Sequence, residues 1–149
     1  MARITYLFWL LGVLAVDQLS KLLAVSQLDF YRSTPAIDHV LFFTLTKNPG
    51  GAFGILRNHG LLVVIVTAAI SLGLLGTLLF TKLRDGSLKL GLAIIAGGAL
   101  GNLLDRLRLG YVVDFLDFRV WPVFNLADVA IVAGTGLILF RLLRRAGPC

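Results

Sequence analysis

The stretch Leu61-Leu-Val-Val-Ile-Val-Thr-Ala-Ala-Ile-Ser-Leu-Gly-Leu-Leu-Gly-Thr-Leu-Leu-Phe80 runs for 20 residues without a charge. A helix needs about 20 mostly apolar residues to cross the hydrocarbon core of a bilayer. Residues 6–25, 88–104 and 126–143 are comparably apolar. The whole chain follows suit. Of its 149 residues 58% are hydrophobic and 15% charged, with mean hydropathy +0.90. A soluble domain carries about a quarter charged residues, so this composition fits a chain whose solvent is mostly lipid. The first span begins near the start and carries Asp17 and Lys21 deep within it, so it reads as a retained helix rather than a cleaved leader. The expected architecture is a membrane all-α bundle of four transmembrane helices in one domain, residues 1–149, with a small β element.

Orientation follows the basic residues in the short flanks. The two ends and the turn between spans two and three hold Arg3, Lys82, Arg84, Lys89, Arg141, Arg144 and Arg145 against Asp85 alone. The rest of the chain balances seven basic with seven acidic residues, so the whole net charge of +6 sits on one side. Both termini are therefore expected in the cytoplasm, with segments 26–60 and 105–125 facing outward. In the first of these, His39-Val-Leu-Phe-Phe-Thr-Leu-Thr46 is rich in β-branched and aromatic residues and reads as a strand. It runs into the turn signal Lys47-Asn-Pro-Gly-Gly51, where Gly50 and Gly51 serve the turn. A small sheet is expected on the outer surface between helices one and two. Phe42, Phe43 and Phe53 either dip into the membrane interface or pack on the helices.

Other chemistries find little support. The basic residues form no stripe with interleaved aromatics, which argues against a nucleic-acid partner. Cys149 is a lone tail residue, and His39 and His59 lie apart without Cys or Glu companions, so no metal set is expected. The chain has no glutamate, and eight aspartates carry every acidic function.

The polar residues of the spans gather at one depth. Asp17 and Lys21 fall toward the outer end of helix one. Asn102, Asp105 and Arg106 finish helix three. Asn125 and Asp128 begin helix four, and Asp114 lies in the connection between them. A charge at mid-span costs about 2.5–3.5 kcal/mol on insertion scales, so such residues face inward, pair, and are site candidates. Asp17 and Lys21 are i,i+4 and can pair on one face, docking helix one. Asn102 and Asp105, like Asn125 and Asp128, are i,i+3, so each amide and carboxylate point one way. Asp105 and Arg106 read as orienting residues. Ala93, Gly97 and Gly101 form a small-xxx-small stripe, expected to draw the outer ends of helices three and four together.

These residues together resemble the lipoprotein signal peptidases, the type II signal peptidases of bacteria. Asp17-Gln-Leu-Ser-Lys21, Asn48-Pro-Gly-Gly-Ala-Phe53, Gly97-Gly-Ala-Leu-Gly-Asn-Leu-Leu-Asp-Arg106, Val112-Val-Asp-Phe115 and Phe124-Asn-Leu-Ala-Asp128 match the five family blocks in order. Pro49 and Gly51 depart from the threonine or alanine types of the second block, and the connection from Asp114 to Asp128 is short. The resemblance implies an aspartic dyad of Asp114 and Asp128. It also implies supporting roles for Asp17, Lys21, Asn48, Asn102, Asp105, Arg106 and Asn125. It further implies a substrate, a prolipoprotein bearing diacylglycerol on its lipobox cysteine and cut just before that cysteine. The expected setting is the bacterial inner membrane, with the protein a monomer among lipid and without a cofactor.

The residues fit that chemistry by themselves. Ser20 and Ser71 have no nearby histidine in sequence, so a Ser-His site is unsupported, and no zinc set exists. Carboxylate pairs remain. Two held together share a proton, so one can activate water while the other donates toward the scissile carbonyl. Either member can serve as the base. The outer strand and the Asn48 turn are expected to clamp the substrate. A transporter or channel would spread polar residues across the bilayer, whereas the inner halves of the spans are nearly bare of charge. A non-catalytic assembly subunit would tolerate single Asp→Asn changes.

Overall fold

In the computed structural model of the chain, residues 3–49, 60–81 and 83–146 are described. Four helices are long and apolar enough to cross a membrane. They are α1 (Arg3–Gln27), α2 (Gly60–Phe80), α3 (Gly86–Leu109) and α4 (Leu126–Ala146). Three strands complete the fold: β1 (Ser33–Ile37), β2 (Leu41–Asn48) and β3 (Val112–Asp117). Gly50, Gly51, Phe53, His59 and Cys149 lie outside the described residues.

Helix α3 is the axis on which the other three pack. Its start is set by Asp85, whose Oδ1 accepts the backbone N–H groups of Ser87 at 2.9 Å and Leu88 at 3.3 Å. These are N–H groups that a helix cannot satisfy internally. Its end is set by Gly110, which adopts φ 81° and donates its N–H to Arg106 O at 3.0 Å. That left-handed conformation suits glycine. The helix therefore runs on past residue 104 to Leu109, and Asp105 and Arg106 lie inside it.

The small residues of α3 do not all do what the four-residue stripe predicts. A Cβ on Gly97 would meet Leu10 O at 2.7 Å, and one on Gly101 would meet the carboxylate of Asp17. Ala93 packs with Tyr6, Leu10 and Leu78. The stripe therefore faces α1 and α2. Contact with α4 falls to a neighbouring face, where a Cβ on Gly98 would lie 2.5 Å from Ala127 O. Two neighbouring faces of α3 thus carry small residues, one against α1 and one against α4. The four-residue spacing reveals only one of them.

The sheet has the order β1-β2-β3, all antiparallel. The strand expected at 39–46 begins at Leu41, since Asp38 to Val40 turn the hairpin with His39 at φ 62°. β3 comes from the connection between α3 and α4, so the sheet draws on both loop segments at this end of the bundle. Thr46 pairs with Asp114 and Asn48 with Val112. Beneath the sheet Leu45, Val113 and Phe115 pack on Ala24 of α1, with Phe43 against them. Phe43 thus packs inward, while the Phe42 ring lies 4.1 Å from the Arg119 guanidinium.

Overpacking a close helix contact costs about 1–3 kcal/mol. Gly98→Ala is expected to lower the melting temperature of the detergent-purified protein. Gly136→Ala, where a Cβ would meet nothing within 4 Å, is expected to leave it unchanged.

Candidate active site

Asp17, four residues before Lys21, begins the site. Lys21 is 3% exposed, and its Nζ donates to Asp17 Oδ2, Asp105 Oδ2 and Asn102 Oδ1, each at 2.9 Å. All three ammonium protons therefore have an acceptor. Removing one partner of a buried ion pair costs about 3–5 kcal/mol, because the other charge is left stranded. The two carboxylates reach further. Asp17 Oδ1 accepts the Ala127 N–H at 2.9 Å, capping α4. Asp105 Oδ2 accepts the Val113 N–H at 3.1 Å, anchoring β3. Gln18, which the sequence reading passed over, donates to Asp105 Oδ1 at 2.9 Å and to Asp17 Oδ2 at 3.2 Å. An amide beside a buried aspartate in an apolar span was the signal that could have found it.

Upon this network stands a second layer. Asn125 precedes α4, and its Oδ1 accepts the Asp128 N–H at 3.0 Å while Asp128 Oδ2 accepts the Asn125 N–H at 3.3 Å. This reciprocal capping box explains the i,i+3 spacing. It also holds Asp128 at the positive end of the α4 dipole. The Asn125 side chain, fully buried, donates through Nδ2 to Asp114 Oδ1 at 2.6 Å and to Asn102 Oδ1 at 3.1 Å. Asn102 Nδ2 donates in turn to Asp128 Oδ1 at 2.9 Å. Asn48 Nδ2 donates to Asp114 Oδ2 at 2.9 Å. The two aspartates are thus joined through Asn125 and Asn102.

All nine residues singled out from the sequence meet at the sheet end of the bundle. They divide by position. Asp17, Lys21 and Asp105 lie beneath. Asn48, Asn102, Arg106, Asp114 and Asp128 line a cavity of about 260 Å³, with Asn125 bridging the layers. Arg106 sits with the cavity rather than with the orienting pair it was read into. Its guanidinium is attracted by Asp114, Asp128 and Asp105, and its buried Nε has no hydrogen-bond partner in the structure. The remaining wall is apolar, formed by residues 121–124 with Ile131 and Val132 of α4. The run Trp121-Pro-Val-Phe124, apolar throughout between Arg119 and Asn125, is its trace in the sequence. Phe124 pairs its backbone with Leu116, which sets Asn125 against β3.

The environment of Asp114 is unlike that of its partner. Asp114 is 2% exposed, whereas Asp128 is half-buried. Burial pushes the Asp114 carboxyl up to about 7. The Asn48 hydrogen bond opposes that rise, the negative charge of Asp128 adds to it, and the Asn125 hydrogen bond opposes it again. Near neutral pH the Asp114 carboxyl can therefore carry a proton. Among the described residues, no three His, Cys, Asp or Glu side chains converge as a metal-binding group.

Comparison with known proteins agrees over nearly the whole chain. Residues 9–144 match the family model described as Signal peptidase (SPase) II. The lipoprotein signal peptidase of Moorella thermoacetica is 46% identical over 142 residues, 95% of each chain. That of Pelotomaculum thermopropionicum is 47% identical over 93% of this chain and 91% of its own. A solved bacterial membrane enzyme superposes with a TM-score of 0.88 at 29% identity, covering 96% of this chain and 90% of its own. A second solved bacterial membrane enzyme gives 0.83 at 30% identity over 93% and 92%. With four apolar helices, a three-stranded sheet and a match through every block of polar residues, the chain belongs to the signal peptidase II family.

Proposed function

We propose that this chain is an aspartic endopeptidase that removes the signal peptide from diacylglyceryl-modified prolipoproteins. It cuts just before the lipidated cysteine, at the outer face of the bacterial cytoplasmic membrane. The observation that carries the reading is the bridge through Asn125, which ties Asp114 and Asp128 to one wall of one cavity. The relatives named lipoprotein signal peptidase support the substrate class. The basic excess at the other end supports cytoplasmic termini and an outward-facing site. A single domain spanning residues 1–149, acting as a monomer without a cofactor, suffices for this chemistry.

In the proposed mechanism, Asp128 is the ionised base and Asp114 the proton donor, because Asp114 is the more buried carboxyl and the one pushed up toward neutrality. Asp128 takes a proton from water as its oxygen attacks the scissile carbonyl carbon. Asp114 gives its proton to the carbonyl oxygen. In the resulting gem-diol, Asp128 returns its proton to the leaving amine nitrogen and the C–N bond breaks. One gem-diol hydroxyl then returns a proton to Asp114, and the dyad is restored. Asn102 and Asn125 hold both carboxyls in register, and Arg106 supplies a cation beside the developing charge. The diacylglyceryl group keeps the scissile bond at the membrane surface, where the sheet end of the bundle lies. The apolar wall of Trp121, Phe124 and Ile131 receives the residues flanking the cut.

Asp114→Asn and Asp128→Asn, each alone, are expected to lower cleavage of a diacylated precursor by at least about 10²–10⁴-fold while the protein stays folded. Full activity in either variant, read by gel shift, would sink the dyad.

The pH profile tests the division of roles. Below about 7 Asp114 keeps its proton, and above it the proton is lost. The value of kcat/KM is therefore expected to fall as pH rises through about 7, and no fall below pH ~9 would refute Asp114 as the donor.

Asn48 stabilises the ionised form of Asp114, so Asn48→Ala is expected to raise that carboxyl further. Its alkaline limb should move to higher pH as cleavage slows. A limb that stays put would separate Asn48 from the dyad.

A further inference from the structure

The end of the bundle remote from the dyad holds a second charged cavity, of about 590 Å³. The turn between α2 and α3 brings Arg84 and Asp85 to it, and the last turns of α4 bring Arg141 and Arg145. Three guanidinium groups thus face one carboxylate. Asp85 is already shared several ways. Its Oδ1 accepts the first N–H groups of α3, and its Oδ2 accepts Arg141 Nε at 2.7 Å and Arg145 Nη2 at 3.0 Å. Among the described residues two positive charges therefore remain uncompensated. Arg84 is exposed and makes no ion pair with a described residue. The side chains of Arg141 and Arg145 keep 40% and 54% of their surface open.

The rest of the lining is apolar and aromatic: Tyr6 and Trp9 of α1 and Leu90 of α3. Trp9 is 53% exposed on a helix apolar enough to cross a membrane, so this side of the cavity opens toward lipid. Basic pockets between helices at a membrane surface gather lipid phosphates. A soluble anion could use the arginines but would leave the aromatic wall without a role. A lipid uses both.

We propose that this cavity binds an anionic phospholipid, its phosphate among Arg84, Arg141 and Arg145 and an acyl chain along Trp9 and Leu90. Asp85 is then a competitor built into the site, since its carboxylate holds the same donors that a phosphate would take. The proposal goes beyond the peptidase reading and does not depend on it, because lipid occupancy is read separately from cleavage.

The test is native mass spectrometry of the detergent-purified full chain offered equal amounts of phosphatidylglycerol and phosphatidylcholine. The wild type is expected to retain phosphatidylglycerol preferentially. Arg84→Gln and Arg145→Gln should each weaken that retention about fivefold. Asp85→Asn, which keeps a capping side chain while removing the charge, should strengthen it. Both arginine variants are expected to cleave a diacylated precursor as the wild type does, which serves as the check that they are folded. Equal retention of the two lipids by the wild type would overturn the site. An unchanged preference in the Arg84→Gln/Arg145→Gln double variant would also overturn it, as would displacement of the lipid by millimolar inorganic phosphate.

Discussion

The buried ammonium of Lys21 is the constraint from which the rest of the sheet end follows. A charge within an apolar span must be paired, and here it is paired three ways, by Asp17, Asp105 and Asn102. Each acceptor has a second obligation. Asp17 caps α4, Asp105 holds the start of β3, and Asn102 holds Asp128. One cation therefore fixes where two helix ends and a strand lie relative to α1. The carboxylates need the lysine as much as it needs them, because each would otherwise be stranded where water cannot reach. The network is possible only because α3 carries glycine beside α1, so that the carboxylate of Asp17 fits against Gly101.

Asn125 turns this scaffold into a site. As a cap it is bound to Asp128 through both its backbone N–H and its side-chain oxygen. Its remaining polar group, the amide nitrogen, is aimed at Asp114. Structural and chemical roles are thus met by one side chain. The two carboxyls are hydrogen-bonded by neutral amides rather than by cations.

The two ends of the bundle contrast in how they treat charge. At the sheet end, Lys21 is buried and paired with Asp17, Asp105 and Asn102. At the far end, the arginines are exposed and, among the described residues, in excess over the one carboxylate of Asp85. Asp85 is held below the usual carboxylate range, chiefly by the hydrogen bond from Arg141, and its charge is therefore fixed. Between them Leu10, Leu78, Ala93 and Ala96 pack in an apolar cluster.

What was legible in the sequence was whatever depends on local composition and on position along a span. Four apolar stretches, the balance of charge at their ends, the strand before Lys47 and the common depth of eight polar residues could all be read directly. Which faces meet could not. The spacing of Ala93, Gly97 and Gly101 marked a close approach without saying that its partner is α1. The pairing of β2 with β3 joins residues more than sixty positions apart, and nothing in either strand names the other. Arg106 follows Asp105 in sequence, yet successive helical positions point in different directions. It therefore lines the cavity while its neighbour is buried beneath. Which of Asp114 and Asp128 is the more buried was likewise undecided in the sequence. Burial and neighbouring charge set the proton affinity of a carboxyl, and both arise only when distant segments close around Asp114 and leave Asp128 at the rim.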